Sequence, residues 1–174
     1  NDGWLRTIHQ HYLDPETNQK ILHGWYKRFY KTGELRTKGH YREGNAHGVL
    51  VEYWRSGMVE RLETYSNGTR VGRHVEYLDN GITSFRALYD SNGDLEYEIY
   101  YYDSGQEDTS ITYLNGEEMS RFLYYENGQL WVEIYYPNGD IKGKEVEYDE
   151  DGNVIDVDIL NERGICVELC EEND

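Results

Sequence analysis

A chain of 174 residues with 37% hydrophobic content, 18 tyrosines, 18 glycines and two prolines has room for one ordinary domain but too little Leu, Ile and Val for a conventional two-layer core. No apolar run reaches the roughly 18 residues of a membrane-crossing helix, and a net charge of −17 sets the chain against nucleic acid and anionic lipid as partners. The charge is also uneven: residues 1 to 87 carry 13 Lys+Arg against 10 Asp+Glu, and residues 88 to 174 carry 4 against 24.

Residues 1 to 23, with Trp4 and Tyr12 in strand-like context and a turn at Asp14 to Asn18, read as a degenerate N-terminal half-repeat that caps an exposed edge. Asn1 in place of Met points to trimming and leaves a removed leader open. From Gly24 onward a period governs the chain. Gly33, Gly57, Gly81, Gly105, Gly128 and Gly152 are 23 or 24 residues apart; Gly44, Gly68, Gly93, Gly116, Gly139 and Gly164 run beside them in steps of 23 to 25; Gly24, Gly48 and Gly72 form a third series with Gly143 as its late member. Turn signals such as Arg55-Ser-Gly57 and Asp79-Asn-Gly81, set between segments that alternate with strand periodicity, predict a β-hairpin per unit. The expected fold is all-β: an elongated single-layer antiparallel ribbon of about six 24-residue hairpins over residues 24 to 165, some twelve strands stacked over roughly 55 to 60 Å, followed by an acidic tail, 166 to 174.

Aromatic residues keep the same frame. Phe29, Tyr53, Tyr77, Tyr102, Tyr125 and Tyr148 lie three or four residues before the first glycine series, and Tyr41, Tyr65, Tyr89, Tyr113 and Tyr136 precede the second. In a sheet without a second layer, rings stacked between hairpins serve as the core. Trp25, Trp54, Tyr100, Tyr101, Trp131 and Tyr135 are the candidates for an exposed aromatic contact surface.

Near the C-terminus, Glu145, Glu147, Asp149, Glu150, Asp151, Asp156 and Asp158 form an acidic run. With Val146 and Tyr148 inward, Glu145 and Glu147 turn to the other face, giving a carboxylate surface that keeps a thin ribbon solvated or docks and steers a basic protein. Such a face also imitates a nucleic-acid backbone and so suits inhibition of a nuclease. Residues 147 to 158 partly imitate a calcium loop, but Gly152 belongs to the repeat frame and Glu147 stands where the first Asp is expected. His9 and His11 share a strand face with no third ligand, so no metal or other cofactor is expected. No nucleophile elbow, phosphate loop or metalloprotease motif is present, and no catalytic residue is assigned. Cys166 and Cys170 would lie about 13 Å apart on an extended strand; read as free thiols, they favour a reducing compartment and a cytoplasmic location.

The glycine and tyrosine frame resembles the MORN repeat family, in the variant form seen in bacterial proteins of the antitoxin or immunity kind. The resemblance covers residues 24 to about 165 and is best over 24 to 93; later the leading glycine gives way to Glu96 or Tyr97 and to Ser120. It implies a non-catalytic, protein-binding repeat protein. Combined with the charge, it leads to the expectation of an immunity protein that holds a basic toxin domain through Trp54, Tyr100, Tyr101, Trp131, Tyr135, Glu145, Glu147, Asp149, Asp156 and Asp158. Self-association as a scaffold is the alternative, and anionic-lipid binding ranks third because the acidic half is repelled by such a surface.

Overall fold

The computed structural model describes residues 6–136, 143–161 and 166–168, and among them every regular element is a strand. The chain divides into two compact units, Asn1–Asp94 and Leu95–Asp174. In the first unit, β1 (Arg6–Leu13), β2 (Lys20–Phe29), β3 (Leu35–Arg42), β4 (Asn45–Ala46), β5 (Gly48–Tyr53), β6 (Val59–Ser66), β7 (Thr69–Tyr77) and β8 (Thr83–Tyr89) pair in the order β1-β2-β3-β5-β6-β7-β8, with β4 also on β3. In the second, β9 (Leu95–Tyr101), β10 (Glu107–Leu114), β11 (Glu117–Tyr124), β12 (Leu130–Tyr135), β13 (Gly143–Tyr148), β14 (Val154–Leu160) and β15 (Cys166–Glu168) pair in chain order. Every described pairing is antiparallel.

The six expected hairpins are β2–β3, β5–β6, β7–β8, β9–β10, β11–β12 and β13–β14, each closed by a glycine of the first series. The turn is the same each time. Gly33 donates its N–H to the Tyr30 carbonyl at 3.0 Å while the Tyr30 N–H reaches the Glu34 carbonyl at 2.8 Å, a type I turn whose glycine sits at positive φ. The same two bonds recur at Trp54, Leu78, Tyr102, Tyr125 and Asp149. Two-residue turns join successive hairpins at Glu43-Gly44, Asn67-Gly68 and Asn115-Gly116, where both residues have φ between 49° and 87°, the type I′ geometry that matches strand twist. The link at Gly93 is longer. There the Asp90 carboxylate accepts the N–H groups of Asn92 at 2.7 Å and Asp94 at 2.9 Å, and the extra residue explains the 25-residue step from Gly68.

Each hairpin carries a bulge just past its turn. Register skips Arg36, Glu60, Ser84, Asp108, Trp131 and Ile155, in every case the third residue after the turn glycine. A bulge breaks two-residue alternation and re-aims the side chain it carries.

The aromatic frame resolves into two slots. The residue four before the turn glycine ends its strand; the residue three before it, where aromatic, is a rung that donates to the next repeat. Tyr30 Oη donates to the Tyr53 carbonyl (2.8 Å), Trp54 Nε1 to that of Tyr77 (3.2 Å), Tyr102 Oη to that of Tyr124 (2.7 Å) and Tyr125 Oη to that of Tyr148 (2.9 Å). Tyr30→Phe keeps the ring under Arg36 and Arg55 and removes only the donor. The expected loss is about 0.5 to 1 kcal/mol, measured by denaturant unfolding. A second tie runs from turn to turn: Gly44 and Gly68 donate to the carbonyls of Leu22 and Ala46 at 2.8 Å, while the His23 and His47 rings accept the Glu43 and Asn67 N–H groups. Those histidines thus cap the next repeat's turn.

Buried apolar residues are few and dispersed: Ala87, Ile111, Val132, Val146 and Leu160. Val132 lies opposite Glu147 while Val146 lies opposite Glu133, so both faces of the second unit's sheet hold core, as a single layer with ring-covered faces requires.

Two expectations change. Cys166 is disulfide-bonded, so it is not a free thiol; Cys170, the chain's other cysteine, lies outside the described residues. The segment expected as a tail from residue 166 opens as strand β15, with Cys166 opposite Leu160.

Candidate functional site

The sixth residue after each turn glycine is Gly39, Glu63, Ala87, Ile111, Ile134 or Asp158, a slot that recurs in every hairpin and is buried or half-buried. Two repeats place a carboxylate there, with opposite outcomes. Glu63 is 4% exposed and compensated: Arg70 Nη2 lies 2.5 Å from its Oε1 and Arg61 Nε 3.6 Å from its Oε2. Arg61 stands opposite both Glu52 and Glu76, pairing with the first and lying 3.8 Å from the second. His74, opposite Glu63, sits 3.0 Å from Glu76 Oε1; burial holds its ring below the usual histidine pKa, leaving it neutral at pH 7. Arg70 completes the network on the Tyr89 hydroxyl at 3.3 Å, its guanidinium over that ring.

Asp158 has no such partners. Register sets Glu145 directly opposite Asp158 and Glu147 opposite Asp156, so four carboxylates share one face of β13–β14. Asp158 Oδ1 is buried with no hydrogen-bond partner. Burial first, and then Asp158, Glu147 and Asp156, push the Glu145 carboxyl above the ordinary carboxylate pKa. A carboxyl with a raised folded-state pKa favours the fold while protonated, and that contribution is lost as pH rises from the ordinary carboxylate range through the raised value. Glu145→Gln is therefore expected to raise stability at neutral pH by about 0.5 kcal/mol. The gain should vanish on acidification below the carboxylate range, as read by thermal melts of both proteins across that window.

The aromatic candidates fall in different places. Trp131, a bulge residue 39% exposed, joins the acidic face by donating Nε1 to Glu147 Oε1 at 3.2 Å and lies beside the Tyr125 ring. Tyr100, 41% exposed, shares that face by register through Thr109, Leu123 and Val132. Tyr135, 43% exposed, stands opposite Lys144 and so projects from the other face, against Phe122. Tyr101 is half-buried at the end of β9. Trp54 is a rung of the hydrogen-bond ladder, and Trp25 is half-buried, its backbone N–H on Gln10 Oε1. Asp149 is occupied by its own turn: its carboxylate takes the N–H groups of Asp151 and Asn153 and the Asn153 side chain, which holds its pKa below the usual value. The calcium-like stretch is thus a closed hairpin turn. The bulge series, Arg36 to Ile155, is the feature missed in the sequence; its signal is the constant offset of three from the turn glycine.

Two segments, residues 22–43 and 117–138, match the family model for the MORN repeat variant. Both matches are in phase, with the turn glycine, Gly33 or Gly128, eleven residues after the first matched position. No curated protein sequence matches the chain. Among solved structures, the GtfA/B complex bound to UDP and GlcNAc is similar at 16% identity, over 74% of this chain and 23% of that chain, with a TM-score of 0.28, a likeness too slight to carry an argument. The matched segments are the hairpins β2–β3 and β11–β12, and the other four hairpins keep the same glycine frame and turn bonds. The protein is a β-hairpin repeat array, two of whose hairpins match the MORN repeat variant, and repeats of that kind suggest a protein for binding or scaffolding.

Proposed function

We propose that the protein is a non-catalytic binding module of the immunity or antitoxin kind, which holds a basic partner against the acidic face of β13–β14. The observation that carries this reading is the contrast within one repeat slot. Glu63 has Arg61 and Arg70, whereas Asp158 faces Glu145 with Asp156 and Glu147 alongside. Two like-charged cross-strand pairs weaken a hairpin, and a partner's arginine or lysine supplies the compensation that the first unit supplies internally. Trp131 and Tyr100 give that face apolar contact area; Tyr135 projects away from it, and Asp149 contributes charge alone. The acidic excess of residues 88 to 174 adds long-range steering of a basic partner. The cytoplasmic expectation loses its thiol argument, because Cys166 is disulfide-bonded.

The test is affinity capture from a lysate of the source cell at low and high salt, with the wild-type chain and with a variant carrying Glu145→Lys, Glu147→Lys, Asp156→Lys and Asp158→Lys. A basic protein retained by the wild type, released by salt and lost with the variant is the expected result. Equal retention by both proteins removes the acidic face from the reading. Growth protection on co-expression with the captured protein then distinguishes an immunity role from plain binding.

Scaffolding by self-association is favoured by a different observation. Among the described strands β1 pairs with β2 alone, it is exposed along nearly its whole length, with Tyr12 and Leu13 among its exposed residues, and an edge strand pairs readily with another. Light scattering on the purified chain that yields dimers or filaments would replace the partner-binding reading with this one.

A further inference from the structure

The first unit contains a cleft that the acidic-face reading does not use. It has a volume of about 240 Å³ and lies where β6, β7 and β8 meet the ends of the hairpin turns, lined by Trp54, Glu60, Arg61, Glu76, Leu78 and Ser84. Two of these, Glu60 and Ser84, are bulge residues of adjacent repeats, and Trp54 and Leu78 are the matching rung residues. The cleft is therefore a product of the repeat frame: rungs supply its apolar wall and bulges supply its rim.

Its chemistry is specific. Trp54 is pinned, because its indole N–H is held by the Tyr77 carbonyl. Leu78 fills a rung slot occupied in most other repeats by a hydrogen-bonding aromatic, so this position contributes an apolar contact and no donor. Glu76 Oε1 already faces His74, and Arg61 is committed to Glu52, Glu63 and Glu76. Glu60 differs from both: it lies half-buried on the rim with no hydrogen bond or ion pair to another described residue. Burial, followed by the Glu52 charge, pushes its carboxyl above the ordinary value despite the opposing pull of Arg61 and Arg36. Around the cleft the carboxylates of Glu52, Glu60, Glu63 and Glu76 outnumber the guanidinium groups of Arg36, Arg61 and Arg70. Arg36 and Arg70 are moreover stacked on Tyr30 and Tyr89.

A fixed indole beside a carboxylate unpaired with any described residue, against an apolar wall, is the combination that takes an organic cation. The indole offers a polarisable face, the carboxylate offers charge, and the apolar wall accepts the carbon atoms around the nitrogen. We infer that this cleft binds an organic ammonium group, with Glu60 as its counter-ion and Trp54 and Leu78 as its apolar wall. A small inorganic ion would leave the apolar wall unused, and an anion would meet Glu60 and Glu76. The inference concerns the first unit alone and stands apart from the acidic hairpin.

The experiment follows the Trp54 indole N–H signal of the ¹⁵N-labelled intact chain during titration with Nα-acetyl-lysine amide and, separately, with tetramethylammonium chloride, each against potassium chloride at matched ionic strength. A saturable shift of Trp54, with a dissociation constant on the order of millimolar, is expected for one probe or both. Preference for the lysine derivative assigns the cleft to a protein partner's side chain, and preference for tetramethylammonium assigns it to a free quaternary ammonium. Glu60→Gln is expected to fold normally, since no described partner of Glu60 is lost, and to weaken binding about tenfold. The Glu145, Glu147, Asp156 and Asp158 charge-reversal variant should bind the probe as the wild type does, which separates this site from the proposed partner face. No saturable shift with either probe, or an unchanged affinity in Glu60→Gln, overturns the inference.

Discussion

Replacing Arg70 with Met is expected to destabilise the first unit by about 3 kcal/mol. The change removes the cation 2.5 Å from Glu63 Oε1, and Glu63 is among the most deeply buried polar groups described. Arg61 remains, but its nearest nitrogen, Nε, is 3.6 Å from that carboxylate, and its Nη2 and Nη1 face Glu52 and Glu76. A buried carboxylate that loses its main partner suffers the desolvation it had been compensated for. The double variant Arg70→Met with Glu63→Leu is expected to regain most of the loss, because an apolar pair of similar volume replaces a buried ion pair without leaving a charge behind. The two variants, compared by denaturant unfolding with hydrogen exchange at β6 and β7, separate the ion pair from the stacking of the guanidinium on Tyr89. Equal stability of Arg70→Met and the wild type would mean that Arg61 alone satisfies Glu63.

Gly93→Ala should cost about 2 to 3 kcal/mol, more than any other turn-glycine substitution to alanine whose neighbours are described here. Its φ is +95°, and a Cβ built there would lie 2.5 Å from Thr69 Cγ2 and 3.2 Å from the Arg70 carbonyl oxygen. The threonine can rotate; the carbonyl belongs to β7 and cannot move without disturbing the strand. Gly33 is the control. Its φ is +105°, yet nothing lies within 4 Å of its would-be Cβ, so Gly33→Ala carries the backbone cost alone, about 1 to 2 kcal/mol. The difference between the two melts measures the close approach of the turn at Gly93 to β7.

The repeat frame was legible because glycine at positive φ is a local requirement: the turn bonds of Gly33 and its equivalents repeat wherever the glycine does. The two aromatic slots were not separable, because the bulge after each turn breaks the alternation from which facing direction is read. Phe29, Tyr53 and Tyr77 were thus grouped with Tyr102 and Tyr125, although only the latter two are rungs. The rung role of Trp54 is hidden in the sequence for the same reason. Glu145 and Glu147 were correctly turned away from Val146, since no bulge intervenes between them. Their pairing with Asp158 and Asp156 required the register across the turn. The compensation of Glu63 was hidden similarly: Arg61 meets Glu52 and Glu76 across strands, over separations no local pattern records. The disulfide at Cys166 leaves no mark in the sequence, because the spacing of cysteines alone does not fix the distance between their sulfur atoms.

The ties between repeats described above reach 20 to 23 residues along the chain. Each repeat therefore leans only on the next, and no strand must await a distant part of the chain before it gains its partners. Folding of either unit can begin at any hairpin and spread outward, with the short loop closures that make low-contact-order proteins fast. Unfolding takes the reverse course, from open edges inward. Amide protection should accordingly grade along each unit instead of switching off at once, lowest at β1, which among the described strands is held by β2 alone.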